Sequence, residues 1–247
     1  MSGGIRTHVS QNHGPRPAGQ PIDMLVLHYT GMECGEAALA RLCDPAAEVS
    51  AHYLIEEDGT VFQLVPEHRR AWHAGVAVWR GHTDINSRSV GIELVNRGHE
   101  WGYRPFAEAQ IAALIPLCQG IVARYGIEAR NVTGHSDIAP NRKEDPGEFF
   151  PWARLAAEGV GLWPSDSTGP QDVPTPELPV VQEALTRFGY GLEEAESFDL
   201  DTRNVVLAFQ RRFRPERMDG VFDAECAVLL AGLLRQAGCE VPDGLLG

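Results

Sequence analysis

Five prolines between Trp163 and Pro179 (Pro164, Pro170, Pro174, Pro176 and Pro179) constrain this chain more than any other feature. Proline has no amide proton and a fixed φ, so a stretch this dense in it cannot continue a helix or enter a sheet interior. With Ser, Thr, Gly and Asp between them, these prolines predict a stiff, extended linker. At 247 residues the chain suits one large or two modest domains with a real core. The linker divides it into residues 1–162, the connection 163–179, and residues 180–247.

Before the linker, strand and helix patterns alternate. Met24-Leu25-Val26-Leu27 is continuously apolar, as in a central strand covered on both faces, and it ends in His28-Tyr29-Thr30. Cys34 to Leu42 is Ala- and Leu-rich and predicts a short helix. His52 to Ile55 and Val61 to Leu64 flank Glu57-Asp58-Gly59-Thr60, a hairpin signal, since Asp-Gly tolerates the positive φ of such turns. Ser89 to Val95 alternates Val90, Ile92 and Leu94 with Ser89, Gly91 and Glu93, predicting another strand.

Ile111, Leu114, Ile115, Cys118, Ile121, Val122 and Tyr125 recur at helical spacing, predicting a helix over 106–125 with a kink at Pro116. A short strand at 131–133, a Gly- and Pro-punctuated loop at 134–147 and a helix near 151–158 follow. The class is therefore α/β, a mixed central sheet flanked by helices. Beyond the linker, amphipathic helices at 181–188, 201–213 and 223–234 predict a small all-α, three-helix domain.

Composition narrows the function. A net charge of -13 excludes a generic nucleic-acid binder and means that an anionic ligand must be met by local cations. Met1 to Pro21 holds no apolar run of signal-peptide length, and no stretch could insert in a membrane. A cytoplasmic location is expected, with the periplasm as the alternative if a leader has been removed. The five cysteines are scattered without a CxxC pair, so disulfides are not expected, and Cys118 falls on the core face of its helix.

His28 ends a buried strand, His135 follows a short one, and Asp145 closes the loop at 134–147. Two imidazoles and a carboxylate suffice for a catalytic zinc with its fourth position open to water. Spacing leaves a second reading open, because nine histidines offer many accidental combinations and these could be separately hydrogen-bonded. No HExxH helix is present. Glu93 interrupts an apolar strand, and an acid there is costly unless paired or used. Residues 71–86 are aromatic and polar without a period, a functional loop carrying Trp72, His73, Trp79 and His82.

Leu27-His28-Tyr29-Thr30, Ser50 to Ile55, Ala71-Trp72-His73-Ala74-Gly75, Ser89 to Leu94, Gly134 to Pro140 and Arg142 to Gly147 carry a specific resemblance. Together they resemble the type 2 zinc-dependent N-acetylmuramoyl-L-alanine amidases, which share their fold with the peptidoglycan-recognition proteins. The AmpD-like branch is the most similar in these motifs, over about residues 22–155. The resemblance implies zinc held by His28, His135 and Asp145, Glu93 as general base, and Lys143 as the cation that stabilises the transition state. It further implies hydrolysis of the amide joining the lactyl group of N-acetylmuramic acid, or its 1,6-anhydro form, to L-alanine during peptidoglycan recycling. Phage-lysozyme-like relatives carry a tyrosine where this chain has Ala51 and a cysteine where it has Asp145, which leaves the proton transfers to Glu93.

Trp72, His73, Asn86 and Arg142 are the expected substrate contacts, since sugars stack on aromatics and arginine forks onto carboxylates. His52 is expected to make a structural hydrogen bond, and His8, His13, His68, His82 and His99 to lie on the surface. The helical segment resembles a peptidoglycan-binding domain through Val181 to Leu185, Phe188-Gly189-Tyr190, Ala208-Phe209-Gln210 and Met218-Asp219-Gly220. That implies muropeptides or peptidoglycan as partners. A non-catalytic recognition module on the same fold is the competing reading, and an amidase acting on polymeric wall a further one. Oligomeric state is not legible in the sequence.

Overall fold

The apolar run 24–27 becomes the middle of a sheet. In the computed structural model, which describes residues 4–164, 174–192 and 197–247, the elements follow in chain order. First come β1 (Arg6–Thr7), β2 (His13–Pro15), β3 (Met24–Tyr29), α1 (Gly35–Cys43), β4 (Tyr53–Ile55), β5 (Val61–Gln63) and β6 (Arg69–Ala71). Next are α2 (Ile85–Arg88), β7 (Ser89–Leu94), α3 (Gly98–Trp101), α4 (Glu108–Tyr125), β8 (Val132–Gly134), α5 (His135–Ile138) and α6 (Trp152–Ala157). Helices α7 (Leu178–Phe188), α8 (Leu200–Phe213) and α9 (Ala224–Gln236) complete the chain.

The main sheet has the order β1-β5-β4-β7-β3-β8, with β4 and β5 its antiparallel pair and the remaining neighbours parallel. The mixed α/β class follows. Strand parity assigns the two faces. Leu25 and Leu27 of β3 and Val90, Ile92 and Leu94 of β7 pack with Ile111, Leu114, Cys118 and Ile121 of α4. Met24 and Val26 face the opposite cluster, where Phe188, Phe209 and Phe213 also sit. His28 continues the Met24–Val26 parity and pairs in register with Glu93, so both polar groups emerge on one face at the carboxyl ends of adjacent strands.

α4 runs as one element through Pro116, the position of the expected kink. Ala112, four residues earlier, is exposed, so the carbonyl deprived of its amide partner is open to water. Buried Gln110 ties the start of α4 to the sheet, its amide donating to the carbonyls of Ile55 (3.2 Å) and Val95 (2.9 Å). The polar N-terminal stretch is held by backbone pairing: β1 adds to β5 and β2 to β6, while Arg16 donates to the carbonyls of Glu67, Asn86, Ser87 and Ser89.

Most of the expected linker, residues 165–173, lies outside the described residues. Its far boundary is corrected: Pro179 already belongs to the first turn of α7, where a missing amide proton costs no helical hydrogen bond. Trp79, expected on a functional loop, is 1% exposed and packs edge-on against Phe188 and Tyr190. The three C-terminal helices thus share one apolar cluster with Trp79, Ile138 and Ala139.

Candidate active site

Three strand ends converge. β8 pairs with β3 so that Leu27 faces Gly134, and the residue following each, His28 on β3 and His135 at the start of α5, brings an imidazole to the same place. The loop then returns Asp145, fixed by its carbonyl accepting from the Ser136 amide at 2.8 Å. His28 Nδ1 lies 3.0 Å from His135 Nδ1 and 3.0 Å from Asp145 Oδ2, and His135 Nδ1 lies 3.1 Å from the same oxygen. All three residues are buried. Donors held tetrahedrally by a first-row divalent ion stand roughly 3.3–3.6 Å apart, so this triangle is close to one face of such a site.

The imidazole tautomers support the fit. Ser89 Oγ donates to the Ile85 carbonyl (2.7 Å), an acceptor only, so it receives the Nε2–H of His73 (3.1 Å). His73 Nδ1 is then an acceptor and takes the Nε2–H of His28 at 3.0 Å, leaving the Nδ1 lone pair of His28 aimed into the triangle. His135 reaches the same state by donating its Nε2–H to the Ala74 carbonyl at 3.0 Å. Such outer hydrogen bonds orient metal-bound histidines. Burial pushes His28 down to about 4, outweighing the Asp145 carboxylate, which as an acceptor favours the protonated ring; burial also pushes His73 well below its ordinary value. Burial alone would raise the Asp145 carboxyl; His135 and His28 outweigh it and hold it below the ordinary carboxylate range.

Strand β7 supplies the rest of this face from the polar half of its alternation. Ser89 holds His73. Gly91 leaves room for it, since a Cβ there would stand 2.5 Å from the imidazole ring. Glu93 projects into a cleft of ≈ 430 Å³ also lined by Trp72, His73, His135, Lys143 and Asp145. Glu93 Oε2 is buried with no hydrogen-bond partner among the described residues. Burial raises its carboxyl well above the ordinary value, Asp145 adds to the shift, and Lys143 opposes it. Lys143 is half-buried, and its ammonium has no hydrogen-bond or ion-pair partner among the described residues.

The expected substrate contacts divide. Trp72 lines the cleft; His73 reaches it but is committed to His28 and Ser89. Asn86 is corrected to a structural group, because its buried amide oxygen accepts from the His73 and Ala74 amides (3.0 and 2.9 Å) and so shapes the loop under His135. Arg142 also lines the cleft; its Nε and Nη2 donate to the carbonyls of Val76 and Ala74, which fixes the guanidinium against the loop under His135. His52 accepts from the Gly91 amide (2.9 Å) and contacts the Arg69 carbonyl (3.1 Å), a structural role as expected. His99 is exposed, as expected of a surface group, and there it joins Tyr29 Oη (3.0 Å) to Glu148 (2.9 Å) at the cleft wall.

Sequence reasoning missed Ser89, whose signal was its parity with Glu93, and two cleft arginines, Arg41 and Arg97. Both arginines are exposed, and their guanidinium groups have no hydrogen bond or ion pair among the described residues.

A mixed sheet presenting two histidines, an aspartate and an unpartnered glutamate at its strand ends defines a candidate metal-assisted hydrolase. The N-acetylmuramoyl-L-alanine amidase family matches residues 18–148, and the peptidoglycan binding domain family matches residues 175–230. The chain belongs to the N-acetylmuramoyl-L-alanine amidases and is an enzyme of that kind. It is 41% identical over 235 residues to N-acetylmuramoyl-L-alanine amidase AmiD of Escherichia coli, spanning 88% of this chain and 84% of that protein. It is 36% identical to 1,6-anhydro-N-acetylmuramyl-L-alanine amidase AmpD of the same organism, over 62% of this chain and 90% of that protein. The E. coli AmiD structure in complex with anhydro-N-acetylmuramic acid-L-Ala-D-gamma-Glu-L-Lys superposes with a TM-score of 0.80, covering 90% of this chain and 93% of that one. Among the described residues no helix is long and apolar enough to cross a membrane.

Proposed function

We propose that this chain hydrolyses the amide between the lactyl group of N-acetylmuramic acid, or its 1,6-anhydro form, and the L-alanine of the stem peptide, in peptidoglycan recycling. One observation carries the reading: Glu93, whose inner oxygen Oε2 is buried without a partner among the described residues, shares a cleft with His135 and Asp145 of the His28–His135–Asp145 triangle and with Lys143, whose ammonium is likewise unpaired among them. The substrate is of the kind bound in the AmiD complex. Two neutral imidazoles and one carboxylate suit zinc, which His28, His135 and Asp145 would hold. Bound there, zinc would polarise the scissile carbonyl and acidify a water.

Glu93 takes the proton of the attacking water and returns it to the departing amine, for which burial has raised its basicity. Lys143 faces the negative charge that develops on the carbonyl oxygen, its ammonium unpaired among the described residues. Trp72 offers a flat apolar surface to a sugar or peptide face. In a chain of net charge -13, Arg41 and Arg97, their guanidinium groups unpaired among the described residues, join Arg142 as the cations that meet stem-peptide carboxylates.

Releasing peptide from soluble anhydromuropeptide and from intact sacculi, followed by mass spectrometry with and without a chelator, tests the reading. Chelator-sensitive release from the soluble substrate is expected. No release from either substrate by zinc-loaded protein overturns it.

Two further outcomes follow from the same geometry. Ser89→Ala removes the acceptor that fixes His73, and zinc affinity should fall about 10–100-fold in chelator competition. Arg41→Ala and Arg97→Ala should each raise KM by up to about 5-fold with kcat unchanged, as for exposed charge pairs. Amidating the stem carboxylates should abolish the difference from wild type.

A further inference from the structure

The loop carrying His135, Lys143 and Asp145 is held by the C-terminal helices through one carboxylate. Asp137 lies two residues beyond His135, on α5. Its Oδ2 accepts from the Gly134 amide (2.8 Å) and from Arg212 Nη1 (2.6 Å), and its Oδ1 accepts from Tyr190 Oη (3.0 Å). Arg212 also donates from Nη2 to the Val132 carbonyl at 2.9 Å, so one guanidinium from α8 spans the turn from β8 into α5. The side chains of Arg212 and Asp137 are 2% and 1% exposed. The Arg212 guanidinium stacks 4.2 Å over Trp152, which fixes its plane.

A charge this deeply buried is tolerable only while paired, so Asp137 keeps its place by virtue of Arg212 and Tyr190. Around this centre, Asn141 bonds to Asp201 and to half-buried Asn204, and Arg211, its side chain 11% exposed, pairs with Glu144 at the exposed rim. Exposed polar pairs of that kind contribute little, whereas the buried trio fixes the turn that presents His135.

We propose that the helical domain is a working part of the metal site: Arg212 and Tyr190 are positioning residues that hold His135 in place through Asp137. The segment that resembles a wall-binding module would then serve the catalytic loop, whatever its outer surface binds. This rests on the reading of His28, His135 and Asp145 as metal ligands.

The test uses full-length protein, wild type against Tyr190→Phe, Arg212→Met and Arg212→Lys, with Asp201→Asn as the rim control. Two quantities are read: amide hydrogen exchange over residues 135–138 in the metal-free protein, and zinc affinity by chelator competition. Tyr190→Phe keeps the ring and removes one hydrogen bond, so it covers the case in which Arg212→Met fails to fold. Faster exchange at 135–138 and about tenfold weaker zinc binding are expected in Tyr190→Phe, a larger loss in Arg212→Met, partial recovery in Arg212→Lys, and no change in Asp201→Asn. Wild-type exchange and wild-type zinc affinity in folded Tyr190→Phe and Arg212→Met would overturn the proposal. Altered exchange in a protein whose wild type binds no zinc would uphold the positioning and overturn the metal reading instead.

Discussion

Glu93→Gln is expected to lower kcat by about 10²–10⁴-fold while zinc stays bound, because the amide keeps the shape of the side chain and loses its ability to take a proton. Zinc content by elemental analysis and turnover of an anhydromuropeptide check the two halves separately. Activity within a few-fold of wild type would remove Glu93 from the proton transfers. The same substitution has an opposite effect on stability. Burial raises the folded-state pKa of Glu93 well above its ordinary 4.5, so over that interval the folded state holds a proton the unfolded state has lost. Stability from this group is complete below about 4.5 and is lost as pH rises through the folded value. Metal-free Glu93→Gln should therefore be more stable than metal-free wild type at neutral pH, with the gap closing near pH 4. Denaturant unfolding of both proteins at several pH values measures it; a gap that widens toward acid would contradict the burial argument.

Asp145→Ala should have the largest effect on the metal. Its Oδ2 is the one anionic donor in the triangle, 3.0 and 3.1 Å from the two imidazole nitrogens. Without it, two neutral Nδ1 lone pairs confront each other at 3.0 Å, with neither charge nor a third donor to hold a cation. Zinc affinity should fall by more than the roughly 10–100-fold expected for an outer partner such as Ser89. Chelator competition reads the affinity, and peptide release should stop in parallel. Treating wild type with a strong chelator should have the same result, reversed by added zinc. Unaltered zinc affinity in folded Asp145→Ala would remove this residue from the ligand set.

How much of this was legible depends on which interactions are local. Strand β3 could be read because four apolar residues in succession have few other uses, and β7 because Val90, Ile92 and Leu94 alternate with polar residues. The hairpin at Asp58-Gly59 and the helix over Ile111 to Ile121 were likewise written in periodicity and turn chemistry. His28, Glu93, His135 and Asp145 were named from motifs, and the fold brings them to one set of strand ends.

The hydrogen bonds that hold Arg142 and Asn86 were not legible, for one physical reason. Arg142 Nε and Nη2 and the Asn86 amide oxygen bind backbone groups in residues 73–76, remote from Arg142 in sequence, and no local pattern reports that. Trp79 was misread because its neighbours Phe188 and Tyr190 come from beyond the proline-rich stretch.

The sequence by itself therefore determined the α/β class, the proline-rich break before the helical segment, and which residues were candidates for the reactive centre, because periodicity, turn chemistry and side-chain type are properties of neighbours along the chain. Only the tertiary structure decided which nitrogen of each histidine faces the triangle, which arginines are left free, and that Arg212 and Tyr190 grip the turn before the metal loop. Those outcomes depend on burial and on hydrogen bonds between residues tens of positions apart, where a buried polar group must find whatever partner the fold delivers.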